Sequence, residues 1–481
     1  MFTGIDIGGT NTDIAFLKNG CIETIKVPNE AGITRILEEA GTATPRALST
    51  SRPVNRLVAE RRGRLYTLTI PGPGLVHPGA VKGAVTIRGD VAEDIDPEEI
   101  RTVLRRVDAD YLAIAGKFSV RNPALEEKAK DIALEFFPEE RIALSWPVGE
   151  IGFLRRKAAA GINAQIKELV VELYSIAGRH GDLYFMKGDG GLSSPEMIIN
   201  DPSKLYNSSQ AAVVLGAHYL TGVQSALVID IGGTTTDFIP MENGRAVDDV
   251  LTFGERHKGI RGIRSLSLPF GSDSVVRDAL LPLRMGKPRI FGGKTPTLTD
   301  ALQACGHETG NGSAPVDFDR ATAETAVREY FRRVSEAISA FSPALVIGTG
   351  YLAPYLVPEI AGAAGVKALI PDHAASANAV GAAVSRISLS FDVHYDSEKR
   401  RMTVNGKVRD LKGTVTDGEL IEDCRDELIR TALQMGSPEE DCAETVLTSF
   451  RAFDVIRNGR RTGRIIDLCI SIPPGISSEA P

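Results

Sequence analysis

The same glycine-centred nonamer occurs twice in this chain of 481 residues, and few folds can use it twice. Ile5–Asp13 reads Ile-Asp-Ile-Gly-Gly-Thr-Asn-Thr-Asp, and Ile229–Asp237 repeats it with one change, Thr235 where the first copy has Asn11. Internal repetition points to a duplicated supersecondary unit. An apolar run, Ala226–Ile229, leads into the second copy, and another, Ile14–Leu17, leaves the first. Each copy then runs to a tight-turn dipeptide, Asn19-Gly20 or Asn243-Gly244. The pattern is strand, glycine turn, strand, which is a hairpin rather than the strand-to-helix turn of a Rossmann or Walker loop.

Such a hairpin is suited to anions. Gly8, Gly9, Gly232 and Gly233 let the backbone approach a phosphate closely. The side chains of Thr10, Asn11, Thr12, Thr234, Thr235 and Thr236, with the neighbouring N–H groups, form a concavity that donates hydrogen bonds to its oxygens. Asp6 and Asp230 end their leading strands, where each can hold Mg²⁺ directly or through water. Asp13 and Asp237 follow the turns. They either orient or deprotonate a reacting group or merely brace the hairpin. Two such loops, far apart in sequence, would grip one polyphosphate between two lobes.

A third element follows. Ala344–Ile347 reads as a short buried strand before Gly348-Thr349-Gly350-Tyr351-Leu352-Ala353, with Asp372 at the end of a later strand. Taken alone this is a dinucleotide fingerprint. Beside two phosphate hairpins, Gly348, Thr349 and Gly350 read instead as a turn lying against adenine and ribose. Gly292-Gly293-Lys294-Thr295 imitates a Walker loop, but Pro288 stands where that motif needs its first glycine.

Composition narrows the class. Fifty-five basic and 62 acidic side chains leave a net charge of −7, without the basic excess of a nucleic-acid-binding face. Arg61-Arg62-Gly63-Arg64 reads as a solvated turn. The 5 cysteines are scattered and form no CxxC pair, which argues against a disulfide framework, a zinc knuckle or an iron–sulfur cluster. The first residues enter a strand pattern directly, so no secretory signal is expected. Leu205–Ile229 lacks charged residues but carries several polar ones, and reads as a helix followed by a buried strand. A cytoplasmic protein without membrane or nucleic-acid partners is expected. The histidines, His180 among them, show no metal-ligand spacing; His77, in the Pro71–Gly79 loop, is the one that suits a substrate lid.

The hairpin pair with its adenosine turn resembles the signature of the acetate-and-sugar-kinase, actin and heat-shock ATPase superfamily. Within it the doubled motif resembles the hydantoinase A/5-oxoprolinase family. Asn55–Gly63, Val81–Asp90, Phe118–Pro123 (F-S-x-x-N-P), Met186–Gly191 and Thr295–Asp300 are similar to further segments of that family, in order, over roughly residues 3 to 385. Two departures stand out. Asn207–Ala211 replaces a Ser-Gly-Pro-Ala turn, and Phe270-Gly271-Ser272-Asp273-Ser274 replaces a Gly-rich one. The resemblance implies an ATP- and Mg²⁺-dependent enzyme that phosphorylates the carbonyl of a cyclic amide, forming an imidate that water opens. It implies a small substrate with an amide or carboxyl group, a second hydrolytic subunit in some relatives, and a homo-oligomer. Asp189 and Gly190 are then candidates to face the substrate. A small-molecule kinase or an ATP-dependent amide or amine ligase, as in methanogen cofactor biosynthesis, uses the same scaffold. So does an ATPase switch acting on a protein partner.

The expected fold is α/β, two ribonuclease-H-like lobes closing on a nucleotide, with the first lobe at 1–210 carrying an inserted α/β segment and the second at 211–387. Helical periodicity marks Pro97–Val107, Arg155–Ile176, Arg320–Ala340 and Ala374–Val384. Asp300 suits a helix N-cap better than a ligand contact. From Ser388 the texture changes to a small α+β module, 388–481. It has hairpins at Asn405-Gly406 and Asn458-Gly459, a helix over Glu419–Met435, and a Pro/Ser tail expected to be disordered.

Overall fold

The computed structural model describes residues 2–18, 20–29, 32–41, 44–53, 55, 63–149, 151–177, 182–253, 257–307, 309 and 318–481. Asn19, His180, the Arg61-Arg62 pair and most of Asn55–Gly63 lie outside the described residues.

The first lobe begins with β1 (Thr3–Ile7), β2 (Asn11–Lys18), β3 (Cys21–Pro28) and β4 (Arg46–Thr50). The chain then makes an inserted parallel sheet of β5 (Leu65–Ile70), β6 (Tyr111–Gly116) and β7 (Ile142–Leu144). It returns through the long helix α1 (Phe153–Ala177) to β8 (Leu183–Met186) and β9 (Leu192–Ser193). The main sheet has the order β9-β8-β4-β1-β2-β3, antiparallel through β1, β2 and β3 and parallel through β1, β4 and β8.

After α2 (Ser208–Thr221), the second lobe repeats this plan. Its strands are β10 (Ala226–Ile231), β11 (Thr236–Glu242) and β12 (Arg245–Ala246); α3 (Arg320–Phe341) leads to β13 (Leu345–Thr349), α4 (Ala353–Ala363) to β14 (Lys367–Leu369), and α5 (Ala377–Val384) closes the lobe. The order β12-β11-β10-β13-β14 again places three antiparallel strands beside two parallel ones. Two lobes with one strand order are the two ribonuclease-H-like halves of the actin-like ATPase fold.

The lobes are joined by crossing helices. A Cβ on Gly216 of α2 would stand 1.9 Å from the carbonyl of Ala377, and one on Gly381 of α5 equally close to that of Ala212. Only glycine at both positions lets the two backbones touch. Small residues line the rest of α5, so it also packs on β1, β2 and β4.

The last module carries β15 (Ser390–Asp396), β16 (Arg401–Val404), β17 (Lys407–Asp410), α6 (Asp417–Gln434), β18 (Val446–Arg457) and β19 (Arg460–Ser471), in the sheet order β17-β16-β15-β19-β18. Tyr395, Ile466, Leu468 and Leu428 share one core with Phe2, Ala15, Leu17 and Ala47 of the first lobe. The module is thus an extension of that lobe's core. Its tail is ordered, contrary to expectation. Asp441 accepts from Ser477 Oγ and the Ser478 N–H, Ser477 N–H donates to Val384 O, and Arg386 N–H donates to Gly475 O. The serines that suggested disorder are hydrogen-bonding partners once Asp441 is beside them. Among the described residues no helix is long and apolar enough to cross a membrane.

Candidate functional site

Both hairpins keep one register. Asp6 pairs across the ladder with Asp13 and, on its other side, with Ser49 of β4. Asp230 pairs with Asp237 and with Thr349 of β13. Side chains alternate along a strand, so each acid pair shares the sheet face that α2 and α5 cover. Asn378, one residue into α5, spans the two. Its Nδ2 donates to Asp6 Oδ2 at 3.3 Å and to Ser209 Oγ at 3.1 Å, and the side chain also hydrogen-bonds Asp230. Ser49 Oγ donates to Asp6 Oδ1 at 2.6 Å, and Thr349 Oγ1 to Asp230 Oδ1 at 3.0 Å.

These acids repel one another in a desolvated setting. Burial pushes the Asp6 carboxyl up to about 7 against the pull of Ser49, with Asp13 and Asp230 adding like charge. Desolvation pushes Asp237 up to about 6, with Ser267 opposing and Asp230 adding to the rise. Asp230 shifts upward for the same first reason, opposed by Thr349 and Asn378. Asp13 has a cation, Lys26 Nζ at 2.6 Å, and accepts from Ser376 Oγ. Carboxylates held this close, with Asp230 and Asp237 still partly open to solvent, fit a divalent cation. Among the described residues no three His, Cys, Asp or Glu side chains converge as a ready cage. Mg²⁺ takes one or two carboxylates and completes its shell with water and phosphate oxygens.

The turns meet tip to tip. A Cβ on Gly9 would lie 3.6 Å from Thr234 Oγ1, and one on Gly233 2.8 Å from Thr10 Oγ1. Gly8 N–H donates to Asn11 O, and Gly232 N–H to Thr235 O, closing each turn the same way. The second turn is braced from behind, where Ser272 N–H donates to Gly232 O and Asp273 N–H to Gly233 O.

Several expected contacts are otherwise engaged. Thr12 is fully buried and donates to Asn29 Oδ1, while Thr236 is fully buried and bonds Phe270 O and Tyr330 OH. Each is paired with an isoleucine, Ile7 or Ile231, on the core face of its sheet. Period-two alternation turns both hydroxyls away from the acids, and neither faces a phosphate. Thr349 Oγ1 is engaged by Asp230. Gly348 is needed for packing, since a Cβ there would stand 2.6 Å from Ile370 Cδ1 and 3.0 Å from Val357 Cβ. Gly350, at φ +89°, lies against Ile231, whose carbonyl would be 2.3 Å from a Cβ. The glycines of this turn close helix onto strand, and the surface beside them is aromatic, with Tyr351 near Phe291 and Tyr355.

Asp189 forms an ion pair with Lys187 at 2.8 Å and accepts from Gly191 N–H, while Lys187 also donates to Ser388 of the last module. Gly190 takes φ +93° in that turn. His77 stacks edge-on against Phe153 at 5.4 Å. No described hydrogen bond or ion pair joins Asp189 or His77 to the hairpin acids. Asp300 is the third helical residue rather than the N-cap. Thr297 caps the Leu298–Ala304 helix, and the Asp300 carboxylate accepts from the N–H groups of Thr297, Arg289 and Ile290.

Sequence reasoning passed over Ser49, Asn378, Asp273 and Arg284. Asn378 left one trace, a lone amide in the otherwise small, apolar Ala377–Val384 segment. Ser209 lies in the segment that departs from the family pattern.

Residues 156–390 match the hydantoinase/oxoprolinase family. The resemblance read from the doubled motif is borne out over that span. A nucleotide-free acetone carboxylase is similar at 16% identity and a TM-score of 0.70, over 99% of this chain and 88% of that one. An ATP-dependent caprolactamase from Pseudomonas jessenii is similar at 16% identity and a TM-score of 0.61, over 100% and 88%. At such identity these two show a shared fold. No protein of curated function matches the chain.

Proposed function

We propose that the protein is an ATP- and Mg²⁺-dependent enzyme that activates the carbonyl of a cyclic amide by phosphorylation. The observation that carries this reading is the junction of two glycine turns, each backed by an acid pair and tied together through Asn378. The matched family segment and the likeness to a caprolactamase support a lactam or hydantoin as the substrate.

Amide resonance makes the carbonyl carbon a poor electrophile. Transfer of the γ-phosphoryl group to the carbonyl oxygen releases ADP and leaves an imidate phosphate. Water then adds to carbon, the ring C–N bond opens to leave an acyl phosphate, and a second water hydrolyses this to the carboxylate and inorganic phosphate. In this reading Thr10, Thr234 and the N–H groups of both turns hold the phosphates. Asp6 and Asp230 hold Mg²⁺, which when bound neutralises phosphate oxygens. Asp237, poised near pH 6 beside Asp230, accepts a proton from the attacking water. Closure of the lobes keeps other water from the phosphoryl group. A second subunit that hydrolyses the activated intermediate, and a homo-oligomeric assembly, belong to the same proposal.

The test is steady-state ADP release with Mg-ATP, alone and with 5-oxoproline, hydantoins, caprolactam, amines and sugars. A cyclic amide should raise turnover about tenfold or more, with a ring-opened product and loss of activity on chelation. Stimulation by an amine or a sugar alone would move the protein to a ligase or kinase. Slow turnover that no small molecule changes would favour an ATPase switch.

A further inference from the structure

Five carboxylates surround the hairpin junction: Asp6, Asp13, Asp230, Asp237 and Asp273. A polyphosphate brought there adds several more negative charges, beyond what one divalent cation offsets. Lys26 is already paired with Asp13. The site therefore calls for a cationic side chain that can hold one carboxylate and still offer donors to a phosphate.

Arg284 supplies it. It ends the Leu280–Arg284 strand, which pairs with Ser274–Val276 directly after the turn that braces Gly232 and Gly233. Its Nε donates to Asp273 Oδ2 at 3.0 Å. The same oxygen lies 3.5 Å from Thr10 Oγ1, across the junction in the other lobe, and 3.0 Å from where a Cβ of Gly233 would stand. Ser272 Oγ donates to the second oxygen, Oδ1. Asp273 is thereby held with only 7% of its side chain exposed, while Arg284 keeps 29%. A guanidinium carries five N–H donors in a rigid plane, and its described hydrogen bond uses one.

We propose that Arg284 is a phosphate-binding residue of this site and that Asp273 is the positioning residue that aims it. The inference rests on the hairpin junction being the nucleotide site. Asp273 fixes the guanidinium plane through Nε, and the two terminal nitrogens engage β- or γ-phosphate oxygens in the bidentate manner that arginine favours. The Thr10 contact places this device at the seam between the lobes, so Arg284 contributes when the lobes close on the phosphates.

The experiment is equilibrium binding of the full chain to Mg-AMPPNP and to AMP, which lacks the outer phosphates, followed by ATP kinetics. Arg284→Gln should weaken Mg-AMPPNP about tenfold or more and leave AMP within about twofold. Arg284→Lys should recover part of the loss. The double variant Asp273→Asn with Arg284→Gln leaves no unpaired carboxylate, and should bind Mg-AMPPNP as weakly as Arg284→Gln. Asp273→Asn alone should raise KM for ATP more than it lowers kcat. Unchanged Mg-AMPPNP affinity in Arg284→Gln would overturn the inference while leaving the site reading intact. Loss of AMP and Mg-AMPPNP binding together would overturn it as well. A wild-type chain that binds neither nucleotide would instead remove the site reading itself.

Discussion

The two hairpins differ at one position in nine, yet their second acids keep different company. In the first lobe the strand beside Asp13 is β3, which sets Lys26 opposite it in the ladder. In the second lobe the strand beside Asp237 is the short Leu266–Leu268 segment, and the residue opposite is Ser267. Asp13 is thus ion-paired, whereas the partners of Asp237 among the described residues are hydroxyls, Thr235 and Ser267, and desolvation pushes it up to about 6. Duplication fixed the register of the acids. The next strand over decided their partners, a lysine for Asp13 and a serine hydroxyl for Asp237.

That comparison breaks most visibly at the leading acids. Asp230→Asn should lower ADP release by about 100-fold or more with the fold retained, as expected when a ligand for the phosphate's counter-charge is lost. Turnover above a tenth of wild type, with an unchanged circular-dichroism spectrum, would refute its metal role.

The second acids should then part company. Asp237→Asn is expected to cut kcat by about tenfold to 100-fold and to remove the limb of the pH–rate profile near 6. Asp13→Asn should keep that limb and cost less. If both variants lose the limb equally, the asymmetry has no functional meaning.

A third effect concerns stability. Asp6 has its carboxyl raised to about 7 when folded against 3.8 when unfolded, so between those values the folded chain binds the extra proton. Stability from this group is full below about pH 4 and is lost as pH rises through 7. Asp6→Asn, which needs no proton, should raise the thermal stability of the nucleotide-free, magnesium-free protein at pH 8 by about 1–3 kcal/mol while abolishing turnover. An unchanged or lower melting temperature at pH 8 would argue against the desolvated carboxylate.

The smallest effects belong to the core-facing threonines. Thr12→Val and Thr236→Val should each lower stability by about 1–2 kcal/mol and leave KM for ATP within about twofold. A tenfold rise in KM for either would restore it to the phosphate contacts.

Much of this was legible beforehand because it is local. Asn243-Gly244, Asn405-Gly406 and Asn458-Gly459 all adopt positive φ, as their two-residue turns require. The helices found at Phe153–Ala177, Arg320–Phe341 and Asp417–Gln434 lie within a few residues of their periodic patterns. Thr12 and Thr236 were misread because a motif written as a string ignores the two faces of a strand. Gly348 and Gly350 have a packing role that the motif alone does not show, because a glycine admits a ligand or a neighbouring backbone equally well and the close approach to Ile370, Val357 and Ile231 comes from residues outside the motif. The tail looked disordered because Asp441, which orders it, is far away in sequence.

The sequence by itself determined that this chain makes two equivalent hairpins, with acids in equal register, because hydrogen-bond ladders and turn chemistry are set by neighbours a few residues apart. The tertiary structure decided how those acids are used. Asn378 joins Asp6 to Asp230, Lys26 and Ser267 divide the fates of Asp13 and Asp237, and Asp273 brings Arg284 to the seam. Charge and desolvation depend on everything within a few ångströms, and most of what lies that close to these carboxylates comes from distant parts of the chain.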